Sequence, residues 1–332
     1  MLNRQRCAAL AALTILMAIA PAHAGDPADA DPSRFPFGCP VREGYVQVIG
    51  GKIWYEVVGG GSGIPLITVH GGPGFTHDYL EPIGRLCRDR PVVFYDQLGA
   101  GKSDRPHDKS LWVVDRFVKE LAALRAALGY KRVHVLGHSW GTLVVTEYAL
   151  TQPPGVVSYV FSDAICSYPE WSRDAAKYRS ELPAATRATL DRHEASGYTD
   201  CPEYQGAVLE YYKLHVCRLP VWPDSLERSF AAHNDEVYVT MQGPNEFSCT
   251  GNLKNWDETA RLKEIKTPAL YISGRYSETS PRATALCHAA LPGSEMVVFQ
   301  KSSHMPMYEE PQAYLKLLRD FLDRAERRAP AP

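Results

Sequence analysis

The sequence predicts an α/β fold, a mostly parallel, doubly wound sheet with an inserted helical cap. Short apolar runs at 65–70, 92–96, 132–136 and 156–162 have the character of strands buried on both faces, and segments of helical periodicity separate them. That alternation stops at Cys166, gives way to aromatic and charged residues up to about Glu246, and resumes at 268–274 and 295–300. A strand pattern split in this way implies an insertion into one sheet.

The elements follow in order. Arg4 and Arg6 precede an apolar run over 7–20, then Pro21 and the small-residue site Ala22-His23-Ala24, so 1–24 reads as a cleaved secretory signal. The run falls short of the ~18 apolar residues of a spanning helix. The expected product is secreted, or periplasmic in a Gram-negative host. A leader covers 25–44. Segments 45–49 and 52–58, separated by Gly50-Gly51, read as a hairpin opening the first part of the core, 45–165. Val114, Phe117, Val118, Leu121, Leu124 and Leu128 share one helical face. The helical cap is expected over 166–246, with a helix at 202–216, and the second part of the core over 247–332, closed by a helix at 311–327.

Composition narrows the partners. With 332 residues, 45% hydrophobic, 22% charged and a formal net charge of −2, the chain carries no basic block for nucleic acid or an anionic membrane. A small molecule or peptide is the expected ligand. Export permits disulfides among Cys39, Cys87, Cys166, Cys201, Cys217, Cys249 and Cys287, an odd number, so at least one thiol stays unpaired within the monomer. Cys201 and Cys217 bracket one segment and are the expected pair. None of the cysteines has zinc-ligand spacing, and no metal or other cofactor is expected.

The chemistry is concentrated at Gly137-His138-Ser139-Trp140-Gly141, which follows an apolar strand and precedes a helix. This Gly-x-Ser-x-Gly arrangement is a nucleophile elbow, whose sharp turn exposes the serine hydroxyl above the sheet. A serine is a weak nucleophile and needs a base with a third group to orient it. His304, after the last apolar strand, is the candidate base; His138, beside the nucleophile, is assigned structural support. His70-Gly71-Gly72-Pro73-Gly74 supplies the second half of an oxyanion hole, with Gly72 and Trp140 as donors and Gly71 as a substrate-binding position.

Together with Asp96-Gln97-Leu98-Gly99-Ala100-Gly101-Lys102-Ser103 and Met241-Gln242-Gly243-Pro244-Asn245-Glu246-Phe247, these motifs make the chain, over about 45–324, resemble the proline iminopeptidase family, near its tricorn-interacting branch. The resemblance implies an α/β-hydrolase core with a cap, no cofactor, and release of an N-terminal residue, often proline, from short peptides or amides. Glu246 is then the anchor for the substrate amine, since a desolvated carboxylate holds an ammonium at fixed distance from the nucleophile. Glu210 and Glu203 are second candidates for that role, and Tyr211, Tyr212 and Trp222 candidates for an apolar wall.

One position departs from the family pattern Gly-x-Tyr-Asp, whose aspartate orients the histidine: this chain reads Gly274-Arg275-Tyr276-Ser277-Glu278. Three readings stay open. Glu278 reaches the histidine from one residue further on; Asp163, after the sixth strand, supplies the acid, which is slightly preferred; or the site is impaired and the chain is a binding protein. An amidase or esterase acting on a small non-peptide substrate is the other alternative within enzymes.

Overall fold

A computed structural model describes residues 38–329. The expected signal segment and most of the leader lie outside the described residues. Strands β1 (Val41–Val48), β2 (Gly51–Val58), β3 (Leu66–Val69), β4 (Val92–Tyr95), β5 (Val133–His138), β6 (Val156–Ser162), β7 (Ala269–Gly274) and β8 (Glu295–Phe299) form, among the described residues, one eight-stranded sheet ordered β1-β2-β4-β3-β5-β6-β7-β8. The hairpin pairs antiparallel with Val48 opposite Gly51, so its turn is Ile49-Gly50, one residue earlier than the glycine pair suggested. Gly50, at φ 96°, takes a left-handed conformation there that glycine adopts without strain. From β4 onward the sheet is parallel.

Side-chain alternation builds two cores. Ile67, Val69, Val133, Val135, Tyr159, Phe161 and Tyr271 join one apolar cluster, and their neighbours Leu66, Leu136, Val160, Leu270 and Ile272 join the other. Successive residues of a strand point to opposite faces, so a continuous apolar run is what a sheet covered on both sides demands. The first face packs α1 (Val114–Ala127), through Phe117, Leu121 and Leu124, and α2 (Trp140–Leu150). After β6 come α3 (Tyr168–Glu181), α4 (Ala184–Ser196), α5 (Pro202–His215), α6 (Asp224–Ala231) and α7 (Asp235–Met241), all before β7. They are followed by α8 (Pro281–Ala290), the single turn α9 (Pro306–Glu309) and α10 (Pro311–Arg328). Helix α10 starts with proline at its first position and buries Tyr314, Leu318, Phe321, Leu322 and Ala325 on the second face at three-to-four spacing.

The disulfides differ from expectation. Cys39 pairs with Cys87 and Cys166 with Cys287, while Cys201, Cys217 and Cys249 are free thiols. Cys201 and Cys217 stand at opposite ends of α5. A helix of that length holds its ends roughly 20 Å apart, several times the Cα separation that a disulfide spans.

Candidate active site

Four parallel strands deliver the functional residues to one edge of the sheet, where ligands gather in open α/β folds. His70-Gly71-Gly72 follows β3, Ser139 ends β5, Asp163 ends β6, and Ser277 and Glu278 follow β7; His304 arrives by the loop after β8. At the elbow, Ser139 adopts φ 54°, ψ −126°, a strained conformation for a residue with a side chain. Both flanking glycines are required by contact: a Cβ on Gly137 would lie 2.5 Å from the Gly141 carbonyl oxygen, and one on Gly141 would run into the Val69 carbonyl. The Ser139 N–H donates to the Ser162 carbonyl at 3.0 Å, tying the elbow to β6.

Ser139, His304, Glu246, Glu278, Gly71 and Gly72 line one cavity, whose apolar wall is Phe75, Tyr79, Val216, Leu226, Phe230 and Met305. The structure thus brings together most of the expected residues and leaves others out. Glu210 is exposed and accepts a hydrogen bond from Thr186. Glu203 is exposed and pairs with Arg192 and His193. Both carboxylates find their partners on the neighbouring helix α4 instead of turning inward. Tyr211, Tyr212 and Trp222 do not form the wall; Tyr212 instead accepts the Glu246 N–H at 3.3 Å, and the Trp222 indole donates to the Cys217 carbonyl at 3.0 Å.

The two nitrogens of His304 face different acids. Nδ1 lies 3.0 Å from Ser277 Oγ and 3.9 Å from Asp163 Oδ1, while Nε2 lies 3.5 Å from Glu278 Oε1. Burial holds His304 well below the usual imidazole range, and His138 beside it adds to that. The ring is therefore neutral, as a base must be. Asp163, fully buried at φ 51°, accepts from the Gly274 N–H at 3.2 Å and from Ser162 Oγ at 3.4 Å. Burial pushes its carboxyl up, and the polar groups of Ser277, Gly274 and Ser162 oppose that shift.

Glu246 and Glu278 line the same cavity, where their buried carboxyls influence one another. Removal from water pushes Glu246 up to about 7, against the pull of Tyr238 and Glu278. Glu278 is raised as well, by burial first and then by the charge of Glu246. Two carboxyls that influence one another in a buried site cannot both ionise cheaply, so the charge of one favours the protonated form of the other.

The support is equally specific. His138 Nε2 meets the His304 carbonyl at 2.8 Å and therefore carries the ring proton; Nδ1 then accepts from the Tyr79 hydroxyl at 2.9 Å. Tyr79 in turn accepts the Gly71 N–H. Gly71 is thus committed to Tyr79, and a Cβ on it would come 3.0 Å from the Ser139 Cβ, so its contribution to the cavity is space. Gly72, at φ 121°, and Trp140, whose N–H at the first position of α2 has no intrahelical acceptor, flank the nucleophile. Gln97 links both halves: it accepts from the Trp140 indole at 2.9 Å, donates to the His70 carbonyl at 2.8 Å, and gives its own N–H to His70 Nε2 at 3.0 Å. Glu309 clamps the loop before His304 through the Ser303 N–H at 2.7 Å. Gln97 lies inside a motif that marks family likeness and gives no sign of this role; Tyr79 and Glu309 carry no local signal.

His138, Asp163 and His304 are close enough together to share a cation, but both nitrogens of His138 are already engaged, which suits the cluster to proton chemistry. Among the described residues, no helix is long and apolar enough to cross a membrane.

Comparison with known proteins agrees with this geometry. Residues 64–311 match the family model of the alpha/beta hydrolase fold. A proline iminopeptidase of Heyndrickxia coagulans is 44% identical over 283 residues, covering 85% of this chain and 98% of that protein. One of Saccharolobus solfataricus is 37% identical over 287 residues, covering 85% and 93%. Among solved structures, VinJ superposes with a TM-score of 0.83 at 34% identity, and the proline iminopeptidase of Mycobacterium smegmatis with 0.79 at 36%, each covering 85% of this chain and 98% of the other. An elbow serine and a histidine on one cavity, within a sheet of this order and with relatives this similar along most of the length, establish that the chain belongs to the proline iminopeptidase family of α/β hydrolases.

Proposed function

We propose that this enzyme is a serine aminopeptidase that releases an N-terminal residue, proline foremost, from short peptides and amides. The observation that carries the reading is the Glu246–Glu278 carboxyl pair inside the cavity that holds Ser139 and His304. An acyl-transfer site for neutral esters has no need of two buried carboxyls in the cavity that holds its nucleophile. A substrate ammonium gives them a counter-charge and fixes the scissile carbonyl one residue away. The apolar wall of Phe75, Val216, Leu226, Phe230 and Met305 suits a compact, non-polar ring, and the names of the relatives point to proline.

In this mechanism Ser139 Oγ attacks the carbonyl carbon as its proton passes to His304 Nε2. The N–H groups of Gly72 and Trp140 hold the resulting oxyanion. The carbon–nitrogen bond breaks as His304 returns the proton to the leaving amine, and water then hydrolyses the acyl-enzyme by the same route. Asp163 is the acid on the Nδ1 side. It stabilises the imidazolium without taking its proton, and that positive charge in turn favours the carboxylate against burial. Glu278 addresses the opposite nitrogen and belongs to the amine site. The helices between β6 and β7 act as a cap, which supplies Val216, Leu226, Phe230 and Glu246.

Hydrolysis of proline p-nitroanilide beside its N-acetylated form and p-nitrophenyl acetate, with Ser139→Ala as control, tests the reading. Cleavage of the free-amine anilide alone, lost in the variant, is expected. Ester turnover alone indicates an esterase, and silence on all three an impaired site. Export is proposed with it, supported by the Cys39–Cys87 and Cys166–Cys287 disulfides, which persist in oxidising compartments. N-terminal sequencing of the exported form, starting at Gly25, checks it.

A further inference from the structure

The direct approach of Asp163 to His304 is too long for a hydrogen bond. At 3.9 Å, Oδ1 stands well beyond the 2.7–3.2 Å range of N–H···O contacts. Ser277 Oγ stands 3.0 Å from Nδ1, and it is near enough to Asp163 to counter the upward push of burial on that carboxyl. We propose that Ser277 is a positioning residue that bridges Asp163 to Nδ1 of His304, so that the acid of this enzyme acts through a hydroxyl. The proposal rests on Asp163 being the acid.

The hydrogen inventory determines the direction of the bridge. Nε2 must be unprotonated to accept from Ser139, so Nδ1 carries the hydrogen and donates to Ser277 Oγ. The Thr279 N–H donates to the same oxygen at 3.2 Å. Both lone pairs are then used, and the one hydroxyl proton chooses between Thr279 Oγ1, at 2.9 Å, and the carboxylate. A carboxylate is the stronger acceptor, and a chain ending on it polarises every link. When His304 takes up the Ser139 proton, the positive charge is met by an oxygen whose own hydrogen leans toward Asp163. No proton leaves the ring.

The bridge is also held rigidly. Ser277 is fully buried, and its N–H donates to the Gly274 carbonyl at 3.1 Å while the Gly274 N–H donates to Asp163. One turn after β7 therefore positions both the hydroxyl and the acid. This accounts for a serine standing where the family pattern has an aspartate: the carboxylate has moved back to the end of β6, and the vacated place holds the shortest side chain that both donates and accepts.

The test compares Ser277→Ala, Asp163→Asn, Ser277→Asp and the Asp163→Asn/Ser277→Asp double variant on the free-amine anilide, with circular dichroism as the folding control. The alanine variant is expected to lose at least about tenfold in kcat with KM unchanged, because the acid is left without a hydrogen-bonded route to the ring. Asp163→Asn is expected to lose about 10³–10⁴-fold. The double variant is expected to recover at least tenfold over Asp163→Asn, since its new carboxylate touches Nδ1 directly. Wild-type kcat in Ser277→Ala, with Asp163→Asn inactive, overturns the bridge and leaves the acid assignment standing. Wild-type activity in Asp163→Asn overturns both. If the alanine variant does not fold, the double variant decides alone: recovery supports the bridge, and none overturns it.

Discussion

Glu278 Oε1 lies 3.5 Å from Nε2 of His304, on the face of the ring that must reach the nucleophile, whereas Asp163 approaches the opposite nitrogen. A triad acid orients its histidine from the nitrogen that does not exchange the proton with serine. Glu278 is on the wrong side for that task and on the right side for a substrate ammonium. Glu278→Gln is therefore expected to raise KM for free-amine anilides at least tenfold with a smaller change in kcat, the reverse of Asp163→Asn. Steady-state kinetics of the two variants check it; matched kcat losses would sink the division of roles.

The carboxyl pair also sets a pH dependence. Glu246 is raised to about 7 and Glu278 lies above its usual range, so below neutrality the pair is protonated and binds an ammonium poorly. KM for free-amine substrates should fall as pH rises through about 7, and rise again as the substrate α-amino group loses its charge near 7.7–8.0. His304, held well below 6.5, stays in its base form across that interval, so the acid limb belongs to the carboxyls. In Glu246→Gln the fall in KM through neutrality should disappear while the kcat profile remains.

Glu210 provides the contrast. It is exposed and bonded to Thr186, outside the cavity. Glu210→Gln is expected to leave kcat and KM for the anilide within about twofold of wild type, in keeping with surface substitutions. A tenfold rise in KM would return it to the amine site.

Gln97 ties the indole of Trp140 to the His70 carbonyl and so fixes the two halves of the oxyanion hole relative to each other. Gln97→Leu removes both links. Direct loss of one oxyanion donor costs about 10²–10³-fold in kcat, and this indirect change is expected to cost about tenfold with KM little altered. A change in KM alone would argue against the link.

The Cys166–Cys287 bridge spans 121 residues and closes the α3–α7 segment against α8. Its removal as Cys166→Ser/Cys287→Ser is expected to cost about 3 kcal/mol. Thermal unfolding should show a lowered Tm in the variant, and reductant should lower the Tm of the wild type by more than that of the variant, which retains only the Cys39–Cys87 bridge.

Local patterns carried most of the fold and half of the site. The buried runs at Val133–His138 and Val156–Ser162, the glycines flanking Ser139 and the proline opening α10 each act over a few residues, so periodicity and turn chemistry reveal them without a structure. Ser139, His304 and the Gly72 loop were legible by motif and chain order, and Glu246 through the family resemblance. The face of His304 that each acid addresses, the exchange of Glu210 for Glu278 beside Glu246, the Tyr79–His138 support and the pairing of Cys166 with Cys287 were decided by tertiary structure. Each joins segments far apart in the chain, as Asp163 and Gly274 are, 111 residues from one another yet joined by one hydrogen bond. Such contacts depend on strand order and on how the loops pack at the sheet edge. A sequence states which groups are available for catalysis, but a hydrogen bond forms or fails over less than an ångström, and that distance exists only once the chain has folded.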